Sequence, residues 1–353
     1  MAGGVGSRFW PMSRQEKPKQ FIDILGTGET LLQSTFRRIK SFCLPENIIV
    51  VSNVRYKDLI AEQLPEIPLN NILSEPARRD TAPCVAYASY KISLRNPDAV
   101  IAVLPSDHLI MKEEQFTQTM KAAFACASEG NNLLTLGIKP TRPDTGYGYI
   151  QFDANETPNQ HGFVKVKTFT EKPNLEMATV FMNSGEFAWN SGMFIWKTSA
   201  ILEAFDKYQP EIINLFREKP EVYDTEHEQG FIDEIYALCT AISIDYGIME
   251  NADNVYMTSA DLGWSDLGTW LSLFENSKKD KNTNVVIGKN TMLFDTKNSI
   301  VNCPQERLVV VGSVENLIIS EYDNMLLICK MDEEQKIKHF VNEISIEKGD
   351  KFL

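Results

Sequence analysis

Between residues 48 and 137, short apolar runs alternate with longer stretches in which apolar side chains recur every three or four positions. The runs at 48–52, 72–74, 100–104 and 133–137 have strand length, whereas 30–42, 81–96 and 113–129 repeat at helical spacing, as in Leu32, Phe36 and Ile39. Such alternation predicts a mixed, mainly parallel sheet flanked by helices, with functional residues placed just after strands. From 141 to 280 strands at 163–169, 193–196 and 255–258 mix with helices at 175–183 and 199–208. A polar run at 278–282 reads as a solvated connection. Beyond it, strand-length runs at 285–288, 292–294, 299–301, 308–311, 317–319 and 325–328 predict an all-β tail whose near-regular spacing hints at stacked β-helix turns. The expected organisation is one domain over 1–280 and a smaller β-rich domain over 281–353.

Composition narrows the class. A chain of 353 residues with 43% hydrophobic content can bury a large core. No stretch approaches ~18 uninterrupted apolar residues and no charged-then-apolar leader opens the chain, so a soluble cytoplasmic protein with no membrane partner is expected. Six scattered cysteines without a close pair read as reduced core residues. A net charge of −13 argues against a nucleic-acid partner, which requires clustered Lys and Arg.

Positive charge is instead concentrated at one place. Gly3-Gly4-Val5-Gly6-Ser7-Arg8-Phe9-Trp10-Pro11 is followed by Pro18-Lys19-Gln20-Phe21, so closely spaced glycines bring backbone amides together beside two cations. That combination makes a phosphate cradle. It is neither a P-loop, because Ser7-Arg8 follows Gly6 where Lys-Ser/Thr is required, nor a dinucleotide fingerprint, because Phe9 stands where a third Gly or Ala belongs.

Further along, Asp107 in Leu104-Pro105-Ser106-Asp107-His108 directly follows an apolar strand, and Asp266 in Trp264-Ser265-Asp266-Leu267-Gly268 sits at a glycine turn. Either aspartate alone fits a turn or cap as well as a metal site; together they suit Mg²⁺, which takes one or two carboxylates plus phosphate oxygens and water. In Glu75-Pro76-Ala77-Arg78-Arg79-Asp80-Thr81-Ala82-Pro83, Thr81 reads as a helix N-cap with Pro83 in the first turn, which leaves Glu75 unexplained. An acidic side chain or backbone carbonyls would satisfy the N1–H and N2–H donors of guanine, and the segment resembles the base-recognition stretch of guanylyltransferases, which implies that the Glu75 to Pro83 loop reads guanine. Trp10, Trp264 and Trp270 are read as pocket walls rather than sugar platforms.

The glycine-rich loop with Pro18-Lys19-Gln20-Phe21 resembles the signature of the sugar-1-phosphate nucleotidyltransferases, in particular the mannose-1-phosphate guanylyltransferase branch, and the resemblance covers nearly the whole chain. It implies a Rossmann-like, GT-A-like catalytic domain with a small left-handed β-helical domain behind it, and a homodimer. It also implies that GTP and mannose 1-phosphate are the substrates, giving GDP-mannose and pyrophosphate. The alternatives left open are another manno-configured sugar 1-phosphate, such as a heptose 1-phosphate, and a non-catalytic sugar-nucleotide-binding homologue.

By resemblance, Ala2, Gly3, Gly4, Gly6, Ser7, Arg8, Lys19, Glu75, Thr81, Ala82 and Pro83 bind the nucleotide, and Asp107 and Asp266 bind Mg²⁺. Gly148 of Asp144-Thr145-Gly146-Tyr147-Gly148, Glu171 and Lys172 of Thr170-Glu171-Lys172-Pro173, and Asn190 of Trp189-Asn190-Ser191-Gly192 bind the sugar phosphate. Arg8, Lys19, Asp107 and Lys172 are assigned to catalysis. In the resembled family a strand precedes the glycines, so a strand is expected before Met1. No isomerase activity is expected from a chain that ends at Leu353.

Overall fold

The apolar runs become strands in the computed structural model, which describes every residue except Val5. Along the chain these are β1 (Val50–Asn53), β2 (Ile72–Glu75), β3 (Val100–Val103), β4 (Leu109–Ile110), β5 (Leu133–Ile138), β6 (Tyr149–Phe152), β7 (Val164–Thr170), β8 (Phe187–Lys197), β9 (Val255–Ser259) and β10 (Trp264–Ser265). The helical patterns become α1 (Leu31–Ile39), α2 (Lys57–Gln63), α3 (Thr81–Arg95), α4 (Glu113–Ser128), α5 (Leu175–Ser184), α6 (Thr198–Tyr208), α7 (Pro210–Arg217) and α8 (Glu228–Tyr236).

Two units are distinguished by their internal packing. The first contains Met1–Gly3, Arg38–Pro105 and Ile110–Trp264; the second contains Gly4–Arg37, Ser106–Leu109 and Ser265–Leu353. The signature loop after Gly3 therefore belongs with the C-terminal residues, although sequence texture changes only near residue 280.

In the first unit six strands form a sheet of order β3-β8-β5-β9-β7-β6, with β8 also meeting β6, while β1 and β2 form a separate parallel pair. The sheet is mixed, but its mainly parallel character is not observed: in the six-stranded sheet only β5–β9 is parallel. Periodicity shows that a strand exists without showing its direction, and the long β8 runs between β3 and β5, antiparallel to both. Alternate residues of β8 supply two cores, as the period-2 pleat requires. Phe194 and Trp196 join Tyr87, Phe205, Phe216 and Tyr236, whereas Met193 and Ile195 join Phe116, Met120 and Trp189. Met1 donates its amino protons to Leu104 O at 2.9 Å, and Ala2 N donates to Val51 O at 2.8 Å, so the first two residues are tied to the ends of β3 and β1.

A buried charge network locks two helices of this unit. Lys91 of α3 is 1% exposed and donates to both oxygens of Glu228 of α8 at 2.6 Å, while Tyr87 O–H donates to Glu228 Oε1 at 2.7 Å. Asp224, held by Lys91 and Arg95, has its carboxyl pulled down to about 2, chiefly by the hydrogen bond from Arg95.

The second unit continues with α9 (Trp270–Asn276) and strands β11 (Val285–Ile287), β12 (Thr291–Phe294), β13 (Ile300–Asn302), β14 (Val309–Gly312), β15 (Leu317–Tyr322) and β16 (Met325–Lys330). β11, β13 and β15 stack in parallel register, as Val285, Ile300 and Ile318 show, and β12 stacks on β14. This is the layering of a β-helix. Phe9, Trp10 and Met12 share one core with Leu267, Trp270, Ile300 and Ile318. Past Lys330 the chain is helical rather than β, ending in α10 (Ile337–Lys348). Ile337, Phe340, Val341 and Ile344 lie at the i, i+3, i+4, i+7 spacing of one helical face and pack on that core. No helix among the described residues is long and apolar enough to cross a membrane.

Candidate active site

The second unit assembles the residues expected to meet phosphate and metal. Gly6 has φ +69°, and a Cβ there would stand 2.9 Å from Lys19 Cγ, so the lysine stem runs beneath the loop at a distance only glycine permits. Gln20, fully buried, donates from Nε2 to Gly4 O at 3.2 Å and fastens the loop from the same side. Val5 lies outside the described residues. Ser7–Phe9 forms a short 3₁₀ turn that places Arg8 at its centre, with Arg8 Nε buried and unbonded among the described residues. A buried donor without a partner is uncommon and suits an incoming anion.

Lys19 is 7% exposed and its Nζ meets three oxygens: Asp266 O at 2.7 Å, Leu267 O at 3.0 Å and Asp107 Oδ2 at 3.2 Å. An ammonium has three protons, so one side chain joins the signature loop to both candidate metal-binding segments. Burial by itself would raise the Asp107 carboxyl, but the charges of Lys19 and His108 and the hydrogen bonds from Lys19 and the Asp107 backbone hold it below the usual carboxylate range. Asp266 accepts from Gly268 N at 3.1 Å in a tight turn where a Gly268 Cβ would strike Asp266 Oδ2 at 2.4 Å. Thr269 and Ser272 then cap α9 reciprocally.

The two carboxylates are the hard oxygen donors that Mg²⁺ takes in ones or twos, completed by substrate and water. Among the described residues no cluster of three or more Asp, Glu, His or Cys forms an all-protein cage. The donor set therefore fits a hard divalent cation shared with a phosphate.

In the first unit, Glu75 closes β2 and its Oε1 accepts from Tyr236 O–H at 3.0 Å. Burial pushes the Glu75 carboxyl up to about 7, against the lowering influence of Tyr236 and the chain's amino terminus. Thr81 differs from the N-cap expected of it. It is the first residue of α3, after Asp80 at φ 57°, and its Oγ1 accepts from Ile244 N at 2.8 Å rather than from its own helix. Ala82 N is likewise donated to Ile242 O at 3.0 Å, and Ala82 and Pro83 are buried. Neither side chain nor amide is idle: this stretch holds residues 242–244 in place.

The sugar-phosphate candidates converge on Gly148. A Cβ there would meet Glu171 Oε2 at 2.3 Å and Asn190 Cβ at 3.4 Å, and Asn190 N donates to Gly148 O at 2.8 Å. Lys172 pairs with Glu171 and is largely exposed. Tyr147, next to Gly148, packs against Trp189 and Trp264, with ring centroids 4.9 and 5.3 Å away. Trp10 and Trp270 are buried core residues, Trp10 donating to Phe352 O at 2.8 Å.

Two residues escape the sequence reading. Tyr236 contacts Glu75 from far along the chain, and nothing local marks it. Asp245 accepts from Asn190 Nδ2 at 2.6 Å. The signal for Asp245 was present, since it is an acid followed by Tyr246-Gly247 after the apolar Ile242 and Ile244.

The family model described as "Nucleotidyl transferase" matches residues 1–283, and the "MannoseP isomerase/GMP-like beta-helix domain" matches residues 289–344. A mannose-1-phosphate guanylyltransferase of Escherichia coli is 35% identical over 98% of this chain and 75% of its own length. One of Salmonella montevideo is 37% identical over 98% of this chain and 73% of its own. The crystal structure described as mannose-1-phosphate geranyltransferase from Thermus thermophilus superposes with a TM-score of 0.86 at 28% identity, covering 98% of both chains. With a family match over most of its length and near full-length relatives of this kind, the chain belongs to the nucleotidyl transferase family, among the mannose-1-phosphate guanylyltransferases.

Proposed function

We propose that the protein transfers GMP from GTP to α-D-mannose 1-phosphate, forming GDP-mannose and pyrophosphate. The observation that carries this reading is Lys19, whose ammonium joins Asp107 to the Asp266–Leu267 carbonyls beneath the glycine loop. A buried cation surrounded by two carboxylate-bearing turns and backed by Arg8 suits a polyphosphate, and the near full-length guanylyltransferase relatives supply the substrate class.

An oxygen of the sugar phosphate attacks the α-phosphorus of GTP in line, and the bond to the β,γ-pyrophosphate breaks. No protein nucleophile is needed. The barrier is the approach of two anions and the build-up of charge, so placement and electrostatics carry the catalysis. Arg8 and the amides of Gly3, Gly4, Gly6 and Ser7 receive the triphosphate, and Lys19 holds the surrounding segments rigid while adding positive charge. Glu75 accepts from the guanine edge. Gly148, Glu171 and Asn190 hold the sugar, and Lys172 holds its phosphate. Asp107 and Asp266 would hold a divalent cation, Mg²⁺ in this reading, which when bound neutralises phosphate charge at the reacting centre.

The test is pyrophosphate release over a panel of nucleoside triphosphates and sugar 1-phosphates. GTP with mannose 1-phosphate should give the highest kcat/KM. A heptose 1-phosphate or another triphosphate that outperforms this pair would overturn the assignment.

A further inference from the structure

The Asn190 amide has its orientation decided by two neighbours. Its Nδ2 donates to Asp245 Oδ1 at 2.6 Å, and its Oδ1 accepts from Gly192 N at 3.0 Å. Turned over, it would set an oxygen against a carboxylate and an NH₂ against an N–H, so only one orientation satisfies both partners. The second Nδ2 hydrogen is then left without a partner among the described residues. Beside it, across Gly148, stands the Glu171 carboxylate, an acceptor.

Asp245 is itself firmly placed. Residues 242–244 are pinned to the first turn of α3 by Ala82 N to Ile242 O and Ile244 N to Thr81 Oγ1. Asp245 then opens a π-helical turn, Asp245–Met249, a rare geometry that recurs at functional sites. Its carboxyl is raised by burial and then by the neighbouring Glu171 charge, while Asn190 and Lys172 lower it. No core role calls for an acid at this position, between the buried Ile244 and the buried Gly247.

We propose that Asp245 is the positioning residue of the sugar pocket: by fixing the Asn190 amide as a hydrogen-bond donor beside the acceptor Glu171, it builds a donor–acceptor pair that reads two adjacent hydroxyls of the pyranosyl 1-phosphate. This rests on the sugar-pocket reading above. The three-residue arrangement also explains why position 148 has no side chain, since a Cβ would enter the space between the pair.

The experiment compares Asp245→Leu, Glu171→Gln and the exchange Asn190→Asp with Asp245→Asn, measuring KM for each substrate and the urea unfolding midpoint. Asp245→Leu, which removes the acceptor for Asn190 Nδ2, should raise KM for mannose 1-phosphate by roughly tenfold or more while KM for GTP stays within about twofold. The exchange restores a carboxylate–amide hydrogen bond with reversed polarity. It should recover the urea midpoint but not the sugar KM, because the carboxylate then at position 190 offers no donor; the rise in sugar KM at unchanged GTP KM in Asp245→Leu is the split that a general loss of stability would not produce. Sugar KM unchanged in Asp245→Leu, or restored by the exchange, overturns the proposal while leaving the pocket intact if Glu171→Gln still raises it. An unchanged sugar KM in Glu171→Gln overturns the pocket reading and the proposal with it.

Discussion

Lys19 is surrounded by three oxygens from two separate stretches of chain, so removing its ammonium strands all three together. In Lys19→Met the stem still fits under Gly6. The fold should lose about 1–3 kcal/mol in urea unfolding, the cost of buried acceptors left unpaired, while kcat drops by about 10²–10³-fold. A kcat within about threefold of wild type would remove Lys19 from the reaction. Glu75 gives a pH signature. Its carboxyl is raised by burial from 4.5 to about 7, so the folded state holds the proton more tightly than the unfolded chain does. Stability from this group is therefore greatest below about 4.5 and declines as pH rises to about 7, by about 3 kcal/mol at most. Relative to wild type, Glu75→Gln should gain stability across that window. If the ionised carboxylate reads guanine, the wild-type KM for GTP should fall as pH rises through 7, and the Gln variant should show a flat profile with weakened GTP preference. The types and positions of Lys19 and Glu75 were legible in the sequence; their partners were not, because Tyr236 and the Asp266 carbonyl reach them from 161 and 247 residues away.

At the scale of elements, α3 matters because its first turn carries Thr81 and Ala82 while its middle carries Lys91. The Lys91–Glu228 lock joins it to α8, which ends at the Tyr236 that bonds Glu75. Lys91→Met should cost about 3–5 kcal/mol, because it leaves Glu228 charged and buried, whereas Lys91→Met with Glu228→Leu should lose much less. Equal losses in the single and double variants would show that packing, rather than the charge pair, sets the cost. Apolar periodicity located these elements closely, as 81–96 against Thr81–Arg95 shows. It carries no information about strand direction, so the antiparallel course of β8 between β3 and β5 cannot be read from it. The helix α10 is legible only in the single apolar face of Ile337, Phe340, Val341 and Ile344, a weak signal beside the short strands of the tail.

For the whole molecule, sequence texture and packing divide the chain at different places. The change near residue 280 marks where β-helix layers begin, yet Phe9, Trp10 and Met12 share a core with Ile300 and Ile318. Local pattern cannot report such a long-range partnership, so the grouping of the signature loop with Asp107, Asp266 and the C-terminal strands emerges only from the fold. Because two carboxylates make an incomplete cage, EDTA should abolish turnover with little change in the thermal unfolding midpoint, and added Mg²⁺ should restore it. Turnover that survives chelation would detach Asp107 and Asp266 from a cation. The most direct test of the central claim is product analysis of the purified protein with GTP, mannose 1-phosphate and Mg²⁺. The predicted result is GDP-mannose and pyrophosphate in equal amounts, dependent on both substrates; GTP consumed without GDP-mannose, or no reaction from a folded protein, would contradict it.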